Sequence, residues 1–190
     1  MDIIHKKIIA ECAKIIPGLS EQKNNSTGMN LFDAVLPCQI TIEGLVGEYG
    51  KIQRTSNDSE SFIIPGDVII KRLNPDCAVV FEDESVQALP SANLFVIRPN
   101  SDILDSYYLA FILDSSKTLS RISQRSGIDT KVSAISMTQI ANCEIPLPTL
   151  EQQRRIGELW QCAKKRNRLL HEMISENNNL IRSISENLYQ

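Results

Sequence analysis

Residues 149–190 constrain this chain more than any other stretch: no proline follows Pro148, and the only glycine among them is Gly157. Proline and glycine are the residues that most oppose helix propagation, so their near absence predicts one continuous helix. With Ile156 set at heptad position a, the a series continues through Ala163, Leu170, Asn177 and Ile184. The d series is Leu159, Arg166, Met173, Leu180 and Asn187, and the adjoining e series adds Trp160, Asn167, Ile174, Ile181 and Leu188. An apolar stripe therefore persists for about four heptads, broken at 166–167 and at Asn177. A helix of this length extends about 60 Å at about 1.5 Å per residue. A small domain cannot cover such a rod, so the stripe predicts a second helix packed against it rather than a helix folded wholly onto its own domain. The predicted helix-pairing and partner-docking residues are Ile156, Leu159, Trp160, Leu170, Met173, Ile174, Asn177, Leu180, Ile181 and Ile184. A polar residue at an a position, here Asn177, fixes register and partner number at some cost in stability.

The entry to this helix reads "IPLPTLEQQRRIGELW" (145–160). Each proline fixes its own φ and biases the preceding residue to extended geometry, so "EIPLP" predicts a stiff edge strand. Thr149 with Gln152 three residues on forms a capping box, and Glu151 places negative charge in the first turn. The construction is a rigid joint between a globular part and a rod.

Residues 1–148 carry a different pattern. Turn signals at Pro17-Gly18, Gly44, Gly47, Gly50, Pro65-Gly66, Asn74-Pro75, Pro90 and Pro99 separate short apolar runs. The runs are "CQITIEGLV" (38–46), "SFII" (61–64), "DVIIKRL" (67–73), "CAVVFE" (77–82) and "NLFVIRP" (93–99), which predict strands of a compact mixed sheet. Helices are expected at 8–15, at 101–116 with Asp102 as its cap, from Lys117 to Gln124, and after Ser136. The fold class is α+β: a compact mixed domain over 1–148, followed by a long coiled-coil-forming helix over 149–190.

Charge divides at the same boundary. Residues 1–148 hold 13 Lys+Arg against 18 Asp+Glu, while residues 149–190 hold 7 against 5. A net charge of −3 gives no global attraction to nucleic acid or an anionic membrane, so such binding must use local patches. With only 5% aromatic residues, a stacking platform for single strands is disfavoured. No apolar run reaches the length of a membrane span, and the charges within "MDIIHKKIIAEC" do not suit a signal peptide. Five scattered cysteines (12, 38, 77, 143, 162) without a CxxC spacing read as reduced thiols of a cytoplasmic protein rather than as a zinc clip. No GxSxG, HExxH, P-loop or GxGxxG is present, and two histidines are too few for a general-base network, so neither catalysis nor a cofactor is expected.

Basic residues gather locally at Lys6-Lys7, Lys51 with Arg54, Lys71-Arg72, and along Lys117, Arg121, Arg125 and Lys131. In "SRISQRSGIDTKVSAIS" (120–136), charged and hydroxyl groups flank a glycine, a composition suited to phosphate and base-edge hydrogen bonds or to a solvated surface loop. "KNNSTGMN" (23–30) carries the same two readings.

The order of these features then becomes specific. "AECAKIIPG", "GEYGKI", "PGDVIIKR", "NLFVIRPNSDILDSYYLAFIL" and "ISMTQIANCEIPLPTLEQQRRIGEL", in that sequence, resemble the DNA-specificity (S) subunits of Type I restriction-modification systems. The resemblance spans essentially the whole chain and is most specific over 135–156. There Ile140 stands for the family's usual leucine, Thr149 for the second proline of a pair, and Gln152 for the usual glutamate. It implies a non-catalytic, DNA-reading domain and a helix that spaces and docks a methyltransferase (modification) subunit, with a restriction subunit as a further possible partner. By the same resemblance the DNA contacts fall on Lys23, Asn24, Asn25, Lys51, Lys71, Arg72, Arg125, Thr130 and Lys131. Family members carry two such domains and two helices, roughly twice this length. A single unit therefore implies a homodimer with antiparallel helices and a bipartite double-stranded target of two-fold symmetry, with a fragment of a longer subunit, a truncated subunit that pairs with another S fragment, or a severed recognition domain of a single-chain restriction-methylation enzyme as the alternatives. The reading from a different class is a coiled-coil adaptor whose head binds protein.

Overall fold

The computed structural model describes residues 5–21, 29–55, 60–123 and 134–188. In chain order the strands are β1 His5–Ile8, β2 Ala13–Pro17, β3 Met29–Val35, β4 Ile40–Thr41, β5 Gly44–Leu45, β6 Gly50–Thr55, β7 Val68–Lys71, β8 Ala78–Val80, β9 Ala88–Pro90, β10 Leu94–Pro99 and β11 Glu144–Leu147. The helices are α1 Ser106–Asp114, α2 Ser116–Ser123, α3 Met137–Ala141 and α4 Leu150–Leu188. An α+β head thus precedes one very long helix.

The head is built on an antiparallel sheet ordered β2-β10-β7-β8. Its strands are apolar at successive positions because both faces are covered. Val68, Ile70, Phe95 and Ile97 face one core, which Leu104 just before α1 and Leu109, Leu113, Ile122 and Ile140 of α1, α2 and α3 close. Ile69, Val79, Leu94 and Val96 face a second core with Val35, Ile40, Phe81 and Ala88. A three-stranded sheet, β6-β3-β9, and the small β4–β5 hairpin lie on that second side. One buried ion pair ties these parts together. Asp67, 1% exposed, accepts from Arg98 Nε at 2.8 Å and Nη2 at 2.7 Å, while the same Nη2 donates to Phe62 O. The bidentate hydrogen bonds outweigh burial and raise the Arg98 pKa further.

Several local expectations change. Residues 8–15 form no α-helix: a 3-10 turn over Ile9–Glu11 joins β1 to β2, and Ile15 and Ile16 point to opposite cores as β-branched residues do in a strand. α1 starts later than expected, because Asp105 and not Asp102 is its cap, accepting from Tyr108 N at 2.9 Å. "SFII" forms no strand, whereas β3, β6 and β9 arise in stretches without a marked apolar run. The expected short helix after Ser136 is α3, closed by a Ser136–Gln139 capping box.

Candidate nucleic-acid interface

One end of the central sheet gathers several polar segments. Gly18 N donates to Leu94 O at 2.9 Å and Leu19 N to Pro90 O at 2.8 Å, which anchors residues 18–21 beside the start of β10. At the same end β7 finishes, and Arg72 N donates to Asn93 O at 2.8 Å. Arg72 O in turn accepts from Ile135 N at 2.9 Å, and Leu73 bridges Ala134. The described residues before 22 and after 133 therefore converge on this end, with the exposed Arg72 between them. Lys23, Asn24, Asn25, Arg125, Thr130 and Lys131 lie outside the described residues.

The remaining sequence-predicted cations differ in availability. Arg72 is exposed. Lys71 is mostly sheltered and paired to Asp76 at 2.7 Å. Burial pushes the Asp76 pKa up, but the hydrogen bonds from Lys71 and the Cys77 thiol overcome it and hold the carboxyl below its ordinary value. Lys51 sits in β6, opposite Asp33 of β3 and paired with it at 2.6 Å. It lies about 13 Å along the strand from the Thr55 end of that ladder, at about 3.3 Å per residue. The structure thus gathers Arg72 with the flanking segments and sets Lys51 apart.

The rod leaves the head through a tightly fitted joint. β11 pairs antiparallel with β1, so "EIPLP" enters as the expected edge strand. Thr149 and Gln152 form the expected capping box: Thr149 N donates to Gln152 Oε1 at 3.2 Å, and Gln152 N to Thr149 Oγ1 at 3.3 Å. Gln153, 1% exposed, was not legible as a joint residue. Its Oε1 accepts from Asp105 N at 2.9 Å, and its Nε2 donates to Ile103 O and Pro148 O. Gly157 allows α4 to touch α1: a β-carbon there would lie 2.8 Å from Tyr107 Cβ and 3.0 Å from Tyr108 N. A lone glycine in a run of helix formers was the available signal. Tyr108 completes the joint, its hydroxyl donating to Pro146 O at 2.9 Å.

The stripe residues divide accordingly. Ile156 and Trp160 pack against the head's own core. Leu159 is 72% exposed, and Leu170, Met173, Ile174, Leu180, Ile181 and Ile184 are 48–63% exposed along one rod, with Asn177 exposed among them. The head thus covers the first turns, and the aliphatic row beyond them is bare.

Three of the five cysteines are buried and none is bonded to another. Burial, with a hydrogen bond to Asp76, pushes the Cys77 thiol up to about 12. Among the described residues no three His, Cys, Asp or Glu side chains stand together as metal ligands, and no helix is long and apolar enough to cross a membrane.

Comparison with known proteins agrees with this architecture. Residues 46–176 match the family model described as the Type I restriction modification DNA specificity domain. A curated protein of Methanocaldococcus jannaschii, described as a type I restriction enzyme MjaX specificity subunit, is 28% identical over 101 residues, which is 51% of this chain and 24% of that protein. The HsdS subunit from Thermoanaerobacter tengcongensis superposes with a TM-score of 0.66 at 21% identity, over 95% of this chain and 46% of that one. A chain from a structural study of complex assembly and conformational transition in the type I R-M system gives 0.65 at 22% identity, over 92% and 45%. The fold is shared, and this chain spans about half the length of these solved relatives.

Proposed function

The chain belongs to the Type I restriction-modification DNA specificity family, and we propose that it acts as a half-size specificity subunit. In this reading the head reads one half of a bipartite double-stranded DNA target. α4 spaces it from a second head and docks a methyltransferase (modification) subunit, joined by a restriction subunit where the system cleaves. The subunit itself catalyses nothing: it brings a partner's chemistry to a chosen site, in the cytoplasm where genomic DNA is accessible.

The observation that carries the reading is the bare aliphatic row from Leu170 to Ile184 on a helix whose base is seated on a single head. Six half-exposed aliphatics on one rod are the kind of contiguous apolar surface that marks an association site. A second copy laid antiparallel would cover each row with the other and set two heads at opposite ends. Domain boundaries at 148/149 follow the same logic, the head for reading and the helix for spacing. In this reading Arg72, at the sheet end, together with Arg125 and Lys131 neutralises phosphates, while Asn24, Asn25 and Thr130 offer base-edge hydrogen bonds. Lys23, Lys51 and Lys71 add phosphate contacts, Lys51 and Lys71 only by giving up Asp33 and Asp76. Nothing in the comparisons favours an adaptor that binds protein through its head.

The test is mapping of methylated adenines in genomic DNA after co-expression with the cognate methyltransferase. Sequence-specific methylation should require this chain and be lost in the Arg72→Ala, Arg125→Ala, Lys131→Ala triple variant. Methylation that is unchanged without the chain would overturn the reading.

A further inference from the structure

The head holds α4 in two places. The first is the base, where Gln153 and Gly157 seat the helix on α1. The second lies farther out, at the tip of the β4–β5 hairpin. Lys164 Nζ donates to Ile42 O at 2.9 Å, pairs with Asp114 Oδ2 at 3.0 Å, and sits 5.4 Å from the centre of the Trp160 ring. Two turns on, His171 Nδ1 lies 2.6 Å from Glu43 Oε1. Ile42 and Glu43 are the two residues between the hairpin strands.

The second contact is a point and not a packed face. From residue 161 to residue 186, Lys164 is the only residue of α4 that is not exposed. The tip itself is well braced. Thr41 Oγ1 donates to Gly44 O and accepts from Glu43 N. Below it Ile40 is buried in the core, and the buried Gln39 accepts from Leu36 N and donates to Glu48 O.

From Gln153 to His171 the helix rises about 27 Å, at about 1.5 Å per residue. The base seat runs from Gln153 through Ile156 and Trp160 to Gln161, whose Nε2 donates to Glu82 Oε1 at 3.2 Å, and the outer contact carries the hold on the rod's direction beyond that seat. We propose that the β4–β5 hairpin tip is a positioning clamp that sets the lean of α4 through Lys164 and His171, and so sets the spacing at which two heads meet DNA. This use of the clamp rests on the half-subunit reading above. Lys164 is the stronger hold, because it and Asp114 are largely sheltered, whereas the His171–Glu43 pair is open to solvent and individually weak.

The clamp is tested with Lys164→Met, which keeps the aliphatic stem over Trp160, combined with His171→Ala, in the full chain. Hydrogen exchange of α4 amides from 164 to 172 should accelerate about tenfold, while amides near Gln153 keep their protection. Small-angle scattering should show a broader distribution of interatomic distances. On methylated genomic DNA, the two target halves should stay the same while the spacer between them relaxes by about one base pair, roughly 3.4 Å. Unchanged exchange and scattering would overturn the clamp. Altered exchange with a spacer as strict as wild type would overturn its role in spacing. If neither protein supports methylation, the half-subunit reading fails, and exchange and scattering still decide whether the clamp exists.

Discussion

Gln153 bonds Asp105 through its carbonyl oxygen and Ile103 through its amide nitrogen, so one buried side chain stitches the first turn of α4 to the segment that starts α1. Removing the side chain takes the partner from half-buried backbone groups on both sides, which makes the joint sensitive to a single residue.

Gln153→Ala leaves one backbone donor and two backbone acceptors without their protein partner. The expected loss is about 2 kcal/mol, or a fall in Tm of roughly 4–8 °C for a chain of this size. Thermal denaturation followed by circular dichroism measures it, and an unchanged Tm would show that the joint is not closed in solution.

Gly157→Ala reverses an ordinary expectation. In an exposed helix interior, alanine is about 1 kcal/mol more favourable than glycine. Here the new methyl meets Tyr107 and the Tyr108 backbone, and overpacking of this kind costs about 1–3 kcal/mol. Stability should therefore fall, whereas Ser183→Ala, on the exposed part of α4, should be neutral or slightly stabilising. Urea titrations of the two variants give the comparison directly.

Met173→Glu with Ile181→Glu places charge on the bare row without touching the head. Light scattering across a concentration series should show a dimer in the wild type and a monomer in the variant. Thermal unfolding of the head should be preserved.

Alkaline titration has a defined direction. Burial pushes the phenols of Tyr49, Tyr107 and Tyr108 up to about 12, helped by hydrogen bonds to Asp83 for Tyr49 and to Glu82 for Tyr107. An unfolded phenol titrates near about 10. Because the folded values are raised, these groups contribute stability that is complete below about pH 10 and is lost as pH rises towards about 12. Ultraviolet phenolate absorbance should show Tyr49, Tyr107 and Tyr108 titrating late, and Tyr108→Phe should remove one of them.

Much of the architecture was legible because it is local. The short helix after Ser136, the capping box at Thr149, the stiff "EIPLP" strand and the length of α4 depend on residues a few positions apart, and each formed as expected. β3 and β6 were not legible, since Leu31, Asp33, Lys51 and Gln53 mix charge with aliphatic character on their outward face. Neither the Gln153 joint nor the hairpin tip could be read either, because their partners lie 48 to 128 residues away. The cap of α1 was misplaced for a simpler reason. Asp102 and Asp105 are equivalent in sequence, and only the packing of Leu104 into the core selects the second as the cap. The proposed DNA contacts were chosen from polar and basic stretches alone, and of these Arg72 alone among the described residues is both exposed and next to the converging segments.

The pairing of β1 with β11 has a consequence for how such chains diversify. His5 lies opposite Leu147, so the strand that opens the head and the strand that closes it are immediate neighbours. Everything between them is a closed excursion whose entry and exit share one doorway. A different excursion spliced in at that doorway would have to bring its own seat for the stalk, because Ile42, Ile103, Asp105 and Asp114, which hold α4, all belong to it.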